Sequence, residues 1–378
     1  MEQQVLYFDY QASTPTDPRV VEKILPWFSR YFANPHAIDH QPGQFAQQAI
    51  ENARQQIAGL IGAEPREIIF TSGATESNNL AILGGMRGMG GRKRHLITWV
   101  TEHKCVLESA RQLEKEGFQV TFLPVQADGL INLQDLKQAI QPDTGMVSLM
   151  MVNNEIGVIQ DVDKIGQICR QQGILFHCDA AQAVGKLEIS VNPMNMDLLS
   201  ISGHKIYGPK GIGALYIRHR PRVRLQPLFY GGGQERGMRS GTLPTPLCVG
   251  LGAACEIAQQ EMKQDANHIK SLQQQLWREL KNVFPSIRLN GHEHQRYGGN
   301  LNVCFTHLAG KKVLNMLPQL AVSSGSACSA SDIEPSYVLQ ALGLPKDLAQ
   351  ASIRFSLGRF SRAEDIQQAI DYLKNRLL

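Results

Sequence analysis

Short apolar runs alternate with amphipathic stretches along most of the chain. Residues 67–71 (EIIFT), 95–100 (HLITWV), 119–123, 146–152, 174–178 and 197–201 read as strands. Between them, 75–84, 105–116 and 161–172 carry apolar residues at helical spacing. Strands written as nearly continuous apolar runs and separated by helices predict a mostly parallel sheet covered on both faces, an α/β fold. The texture changes near residue 245. A long helical stretch follows over 246–280, with Gln and Glu on its polar side. Mixed elements come next: strands at 287–289, 300–305 and 352–356, and a last helix over 362–377 with Ser361 as its expected N-cap. This predicts a smaller α+β domain joined to the first by the long helix. The turn-rich residues 9–18, with two prolines, are expected to cross from the small domain into the large one.

Composition narrows the class. The chain has 378 residues, 43% hydrophobic and 19% charged, with a formal net charge of +4. That is too apolar for a disordered chain and too long for a disulfide-stapled mini-protein. No dense Lys/Arg stripe stands out; the nearest candidate, Arg92-Lys93-Arg94, follows a Gly-rich stretch and reads as a solvated loop, so nucleic acid is not the expected partner. No apolar run is long enough to span a bilayer, and the N-terminus lacks a basic region followed by an apolar one. The 7 cysteines are odd in number and contain no Cys-x-x-Cys pair. This argues for a reducing compartment, expected to be the cytoplasm, and against a zinc site or disulfide framework.

Four stretches carry candidate chemistry. Thr71-Ser72-Gly73-Ala74-Thr75 lies between a strand and a helix, where free N–H groups and the positive end of the helix dipole suit a phosphate; it equally suits an ordinary N-cap. Asp179 ends an apolar strand, the place where α/β proteins hold ligands, and a helix cap is again the other reading. Lys205, in Ser202-Gly203-His204-Lys205, follows a further strand and lies 26 residues after Asp179, about one strand–connection–strand unit. A lysine amine and an aspartate meeting at one sheet edge is how a protein holds pyridoxal phosphate. Lastly, every residue from Ser323 to Ser331 is small. Such a segment cannot anchor a core and is expected to be exposed and mobile, which makes Cys328 a candidate reactive thiol. The other six cysteines read as packing residues, Cys105 least firmly.

Together these stretches resemble the cysteine desulfurases of the NifS/IscS type, pyridoxal phosphate enzymes of the class V aminotransferase family. The resemblance covers nearly the whole chain. It includes Tyr7-Phe8-Asp9-Tyr10, the GATESNN run at 73–79, Thr101-Glu102-His103, Asn153-Asn154-Glu155, DAAQ at 179–182, SGHK at 202–205, Arg239-Ser240-Gly241-Thr242, SSGSAC at 323–328 and Ile353-Arg354-Phe355-Ser356. It implies fold type I of the pyridoxal phosphate enzymes, aspartate aminotransferase-like: a large domain with a mostly parallel seven-stranded sheet over 15–260, and a small domain from 1–14 and 261–378 that carries the Cys328 loop.

The resemblance also implies roles. Lys205 would carry the cofactor as a Schiff base, Asp179 would pair with the pyridine nitrogen, His103 would stack on the ring and move protons, and Gln182 would bond the ring hydroxyl. Ala74, Thr75, Ser202 and His204 would hold the phosphate, with Thr242 reaching in from a second subunit of a homodimer. Asn154 and Arg354 would position L-cysteine. Cys328 would take the sulfur as a persulfide and pass it to an acceptor protein for iron–sulfur cluster assembly or tRNA thiolation. At 34–40 the chain reads Asn-Pro-His-Ala-Ile-Asp-His, where members of the type carry a Ser/Arg-containing stretch. The chain also ends at Leu378, before the segment with which housekeeping members dock the scaffold. A selenocysteine lyase, or another lyase of the same fold type, is the nearest other enzyme. A scaffold without catalysis would need none of Lys205, Asp179, His103 and Cys328.

Overall fold

The computed structural model describes residues 5–324 and 335–378, so the Cys328 loop lies outside the described residues. Twelve strands are found there: β1 Leu6–Tyr7, β2 Ile68–Thr71, β3 His95–Trp99, β4 Gln119–Leu123, β5 Thr144–Met150, β6 Leu175–Asp179, β7 Leu198–Ser202, β8 Gly213–Ile217, β9 Arg288–Leu289, β10 Asn300–Cys304, β11 Leu320–Ala321 and β12 Ser352–Ser356. Seven form one sheet in the order β2-β8-β7-β6-β5-β3-β4. Its pairings are parallel from β7 to β4, and only β8 runs against its neighbours. The fold is therefore the expected α/β class with a mostly parallel seven-stranded sheet.

Both faces of this sheet are buried, as near-continuous apolar strands require. Alternate residues go to opposite sides: Phe70, Ile97, Phe176, Ile201 and Tyr216 join the core shared with the helices Gln41–Ile61 and Val162–Gln172. Ile69, Leu96, Met146, Leu198 and Leu215 join the core under the helix Lys104–Lys115 and the helical run from Ala74 to Gly88. A third core gathers Phe8, the C-terminal half of the long helix (Ile269, Leu272, Leu276, Leu280), the antiparallel sheet β12-β10-β9 and the last helix, Ala363–Leu377. The helix Thr245–Val283 is 39 residues, about 58 Å long, and its two ends sit in different cores. The N-terminal strand makes the second link: β1 pairs with β11, and Asp9 bridges to Ser356, before residues 11–14 reach the large sheet.

Most sequence-predicted elements appear within one or two residues of their expected ends. The N-cap of the last helix is an exception. Arg362 occupies that position, its N–H donating to Asp365, because the Ser361 hydroxyl is taken by the Gly358 N–H at 3.0 Å. The helix Gln41–Ile61 and β8 stand outside the sequence-based assignment. The buried face of the helix mixes Gly43, Ala46, Ala53 and Ala58 with Ile50, Ile57 and Ile61, and β8 follows a Gly/Pro-rich run that reads as loop. Among the described residues no helix is long and apolar enough to cross a membrane.

The centre of the sheet holds a histidine with no access to water. His177 on β6 bonds Ser148 at 2.8 Å and Ser200 at 3.0 Å, on the strands either side. Burial pushes its pKa down to about 3. The unfolded chain takes this proton near 6.5 and the folded chain does not, so stability is present above that value and falls as pH drops from 6.5 toward 3. At pH 5.5 this single group is expected to remove about 1.4 kcal/mol relative to pH 8. Thermal midpoints measured at both pH values should therefore converge in His177→Gln compared with the unsubstituted protein. An unchanged gap would assign the acid sensitivity elsewhere.

Candidate active site

The parallel strands all present their carboxyl ends to one side, and a cavity of about 500 Å³ opens there. It is lined by Ala74, Thr75, His103, Asn154, Asp179, Gln182, Ser202, His204, Lys205 and Arg354, ten of the residues singled out in the sequence. Thr242 is not among them. It lines a separate recess with Phe229, Tyr230 and Arg239 on the same chain. Cys328 lies outside the described residues.

Each side chain is placed by the element that carries it. Asp179 is the last residue of β6 and almost fully buried. Its carboxylate accepts from Asn78 Nδ2 at 2.7 Å and from the Ala181 N–H at 3.0 Å, which fixes the plane it presents to the cavity. Gly73 precedes the helical run with φ +150°, a conformation that favours glycine, and Gly73, Ala74 and Thr75 line the cavity. Gly213 on β8 permits this approach: a Cβ would come within 2.6 Å of Gly73 Cα.

Lys205 follows β7 on one turn of 3-10 helix. Its amine donates to the main-chain oxygens of Gln11, at 2.6 Å, and Ala12, at 2.7 Å. Gln182 donates to the same Gln11 oxygen at 2.9 Å and accepts from Lys186 at 3.0 Å, which settles which end of its amide is nitrogen. Loss of water brings the Lys186 amine down to about 7, and the Lys205 and Arg354 charges act in the same direction. His204 is held near 4 by burial first and by Lys205, Lys210 and Lys186 next, so its ring is neutral at physiological pH. It contacts the Ser13 hydroxyl at 3.2 Å.

His103 caps the helix Lys104–Lys115 and its pKa is lowered by burial. Arg354, on β12, is 2% exposed. One terminal nitrogen donates to the Asn154 main-chain oxygen at 2.6 Å. The other donates to Asp9 at 2.5 Å and Ser323 at 3.0 Å. Its Nε and the Asn154 side-chain oxygen are buried without a hydrogen-bond partner among the described residues. Buried polar atoms rarely stay unpaired, and both residues line the cavity.

Sequence reasoning did not single out Asn78 or Gln11. Asn78 had a usable signal, since it lies one helical turn beyond Ala74 and Thr75 on the same face. Gln11 had none, because it acts through its main-chain oxygen, which every residue carries.

An α/β sheet with a buried carboxylate, an amine and an imidazole at its carboxyl edge defines a cofactor-dependent enzyme of fold type I. The residues fit pyridoxal phosphate: a carboxylate for the ring nitrogen, an amine for the aldehyde carbon, an imidazole for the ring, and the start of a helix with Thr75, Ser202 and His204 for the phosphate. The chain belongs to the aminotransferase class-V family, whose model matches residues 6–369. Members of this family work with pyridoxal phosphate. The chain is 57% identical over 366 residues to the cysteine desulfurase of Homo sapiens, covering 97% of this chain and 80% of that protein. It is 53% identical over 372 residues to the cysteine desulfurase IscS of Rickettsia felis, covering 98% and 91%. Among solved structures, a NifS-like protein superposes with a TM-score of 0.91 at 35% identity, covering 98% of this chain and 99% of that one. SspA in complex with cysteine superposes with a TM-score of 0.85 at 43% identity, covering 94% and 99%.

The segment carrying Thr242 is anchored by a buried ion pair. Glu235 accepts from Arg54 at 2.8 and 3.0 Å and from the Phe70 N–H at 2.7 Å, tying the segment to β2. Arg54→Met would strand a buried carboxylate, and chemical denaturation should register a loss of about 3–5 kcal/mol. Adding Glu235→Gln should restore much of it. Equal instability of the single and double variants would argue against the pair as the anchor.

Proposed function

We propose that this protein is a pyridoxal phosphate-dependent cysteine desulfurase, which takes the sulfur of L-cysteine, leaves L-alanine, and hands the sulfur on as a persulfide of Cys328. The observation that carries this reading is a single cavity in which Asp179 and Lys205 meet a buried arginine, Arg354, whose Nε has no partner among the described residues. A cofactor and an amino-acid carboxylate need that combination side by side.

In this reading Lys205 holds the cofactor, Asp179 pairs with its ring nitrogen, His103 lies against the ring and Gln182 bonds the ring hydroxyl. Ala74, Thr75, Ser202 and His204 hold its phosphate, joined by Thr242 of a second copy. When bound, pyridoxal phosphate supplies an electron sink that acidifies the substrate Cα hydrogen and weakens the carbon–sulfur bond. The protein's own residues do the rest. Arg354 and Asn154 orient the carboxylate, by charge-assisted bonds from the guanidinium. The Lys205 amine accepts the Cα proton and returns it. The Cys328 thiolate attacks the substrate sulfur; the carbon–sulfur electron pair leaves with carbon, which takes a proton and becomes the methyl of alanine.

The domain division, the oligomeric state, the compartment and the acceptor belong to the same proposal. Residues 15–260 form the cofactor domain, and 1–14 with 261–378 form the small domain. The separate cores support this, one running from Val20 to Ile257 with Tyr297 added, the other holding Phe8 and residues from Ile269 onward. A homodimer agrees with the exposed Phe28, Phe32, Phe229 and Tyr230, the last two beside Thr242. The six described cysteines are free thiols, which fits a reducing compartment such as the cytoplasm, although similar proteins from Dictyostelium discoideum and Drosophila melanogaster are described as mitochondrial. The sulfur acceptor is a thiol of an iron–sulfur scaffold or a tRNA-thiolation protein.

Cys328→Ala tests the reading. The purified variant should keep the yellow cofactor band yet lose sulfide release from L-cysteine in the presence of a reductant. Undiminished release would remove Cys328 from the reaction, and absence of the band from the unsubstituted protein would remove the cofactor.

A further inference from the structure

One thiol within the cavity has no part in the reaction as derived. Cys105 lines the cavity beside His103, on the first turn of the helix that His103 caps. Asn78 Nδ2 donates to the Asp179 carboxylate at 2.7 Å and to Cys105 Sγ at 3.2 Å, so both amide hydrogens are used. Turning that amide over would set its oxygen against the carboxylate, which fixes its orientation. His103 Nδ1 accepts from the Cys105 main-chain N–H at 3.3 Å and lies 3.0 Å from Cys105 Sγ. An Nδ1 that accepts the amide hydrogen carries none itself. The short contact to sulfur therefore requires the thiol hydrogen to point at Nδ1.

We propose that Cys105 is a positioning residue for His103: the chain Asp179–Asn78–Cys105–His103 directs the thiol hydrogen onto Nδ1, and so keeps the imidazole neutral with its proton on Nε2. The consequence deepens the desulfurase reading and rests on it, because a neutral His103 with a fixed Nε2–H can give a proton within the cavity and take it back. Protonating Nδ1 would break two hydrogen bonds at once. The charged groups acting on the ring are the Asp179 carboxylate, which favours the charged form, and the Lys205 and Lys104 amines, which oppose it. Cys105 itself remains a thiol, since burial and the Asp179 charge push it up to about 12. It is thus suited to hold a proton in place and unsuited to carry sulfur, the reverse of what is proposed for Cys328.

The test titrates the His103 ring nitrogens by ¹⁵N NMR in the cofactor-loaded enzyme, with His103→Gln used to assign the signal. Cys105→Ala and Cys105→Val remove the donor, and Val fills the space. Cys105→Ser keeps a donor. Losing one hydrogen bond to the neutral ring should raise its midpoint by about 0.5 to 1 pH unit in Ala and Val, with Ser near the unsubstituted value. The acidic limb of kcat/KM for L-cysteine should move with it. A common midpoint in all four proteins, or Ser moving with Ala and Val, would overturn the proposal. Sulfide release by the unsubstituted enzyme is measured in parallel. Its absence would count against the desulfurase reading while the ring titration still reports on Cys105.

Discussion

The site depends on how the half-buried amine of Lys205 is supplied with acceptors. Lys205 stands at the carboxyl edge of the sheet, and the main-chain oxygens of Gln11 and Ala12 receive its hydrogens. Leaving a charged group unpaired in such a place would be costly, so the N-terminal segment has to run there. The same segment pairs through β1 with β11 and bridges through Asp9 to Ser356 on β12. The requirement of one lysine thereby draws the small sheet to the mouth of the large one.

From that junction the rest of the site follows. Asp9 and Ser323 bond one terminal nitrogen of the Arg354 guanidinium and Asn154 the other, leaving Nε without a partner among the described residues. Gln11 also receives Gln182, and its side-chain oxygen accepts from Asn300 on β10. Few of these groups could be replaced singly without leaving a buried donor or acceptor unmatched. The walls of the cavity are thus hydrogen-bonded to one another.

Much of this was legible in the chain itself. The strands expected at 119–123 and 352–356 match β4 and β12 residue for residue: each alternates polar and apolar residues with a period of two. The helix Gln41–Ile61 was left unassigned although Ile50, Ile57 and Ile61 share its buried face with Ala46, Ala53 and Ala58, a stripe at helical spacing. Ser361 failed as a cap because its hydroxyl had a nearer donor in Gly358, a choice only the fold can make. In the site, Asp179, Lys205, His103 and Arg354 were readable from motifs. Asn78 was within reach of helical spacing, and Gln11 was out of reach because a carbonyl has no sequence signature.

The sequence by itself determined which groups the protein has and along which strands they lie, since apolar periodicity places strand ends and motif spacing brings Asp179 and Lys205 to one edge. Tertiary structure alone decided how those groups are held. The acceptors for Lys205 and the amide that orients Asp179 come from segments 101 to 194 residues away. Hydrogen bonds between distant segments depend on distances of a few tenths of an ångström, and no local pattern encodes those.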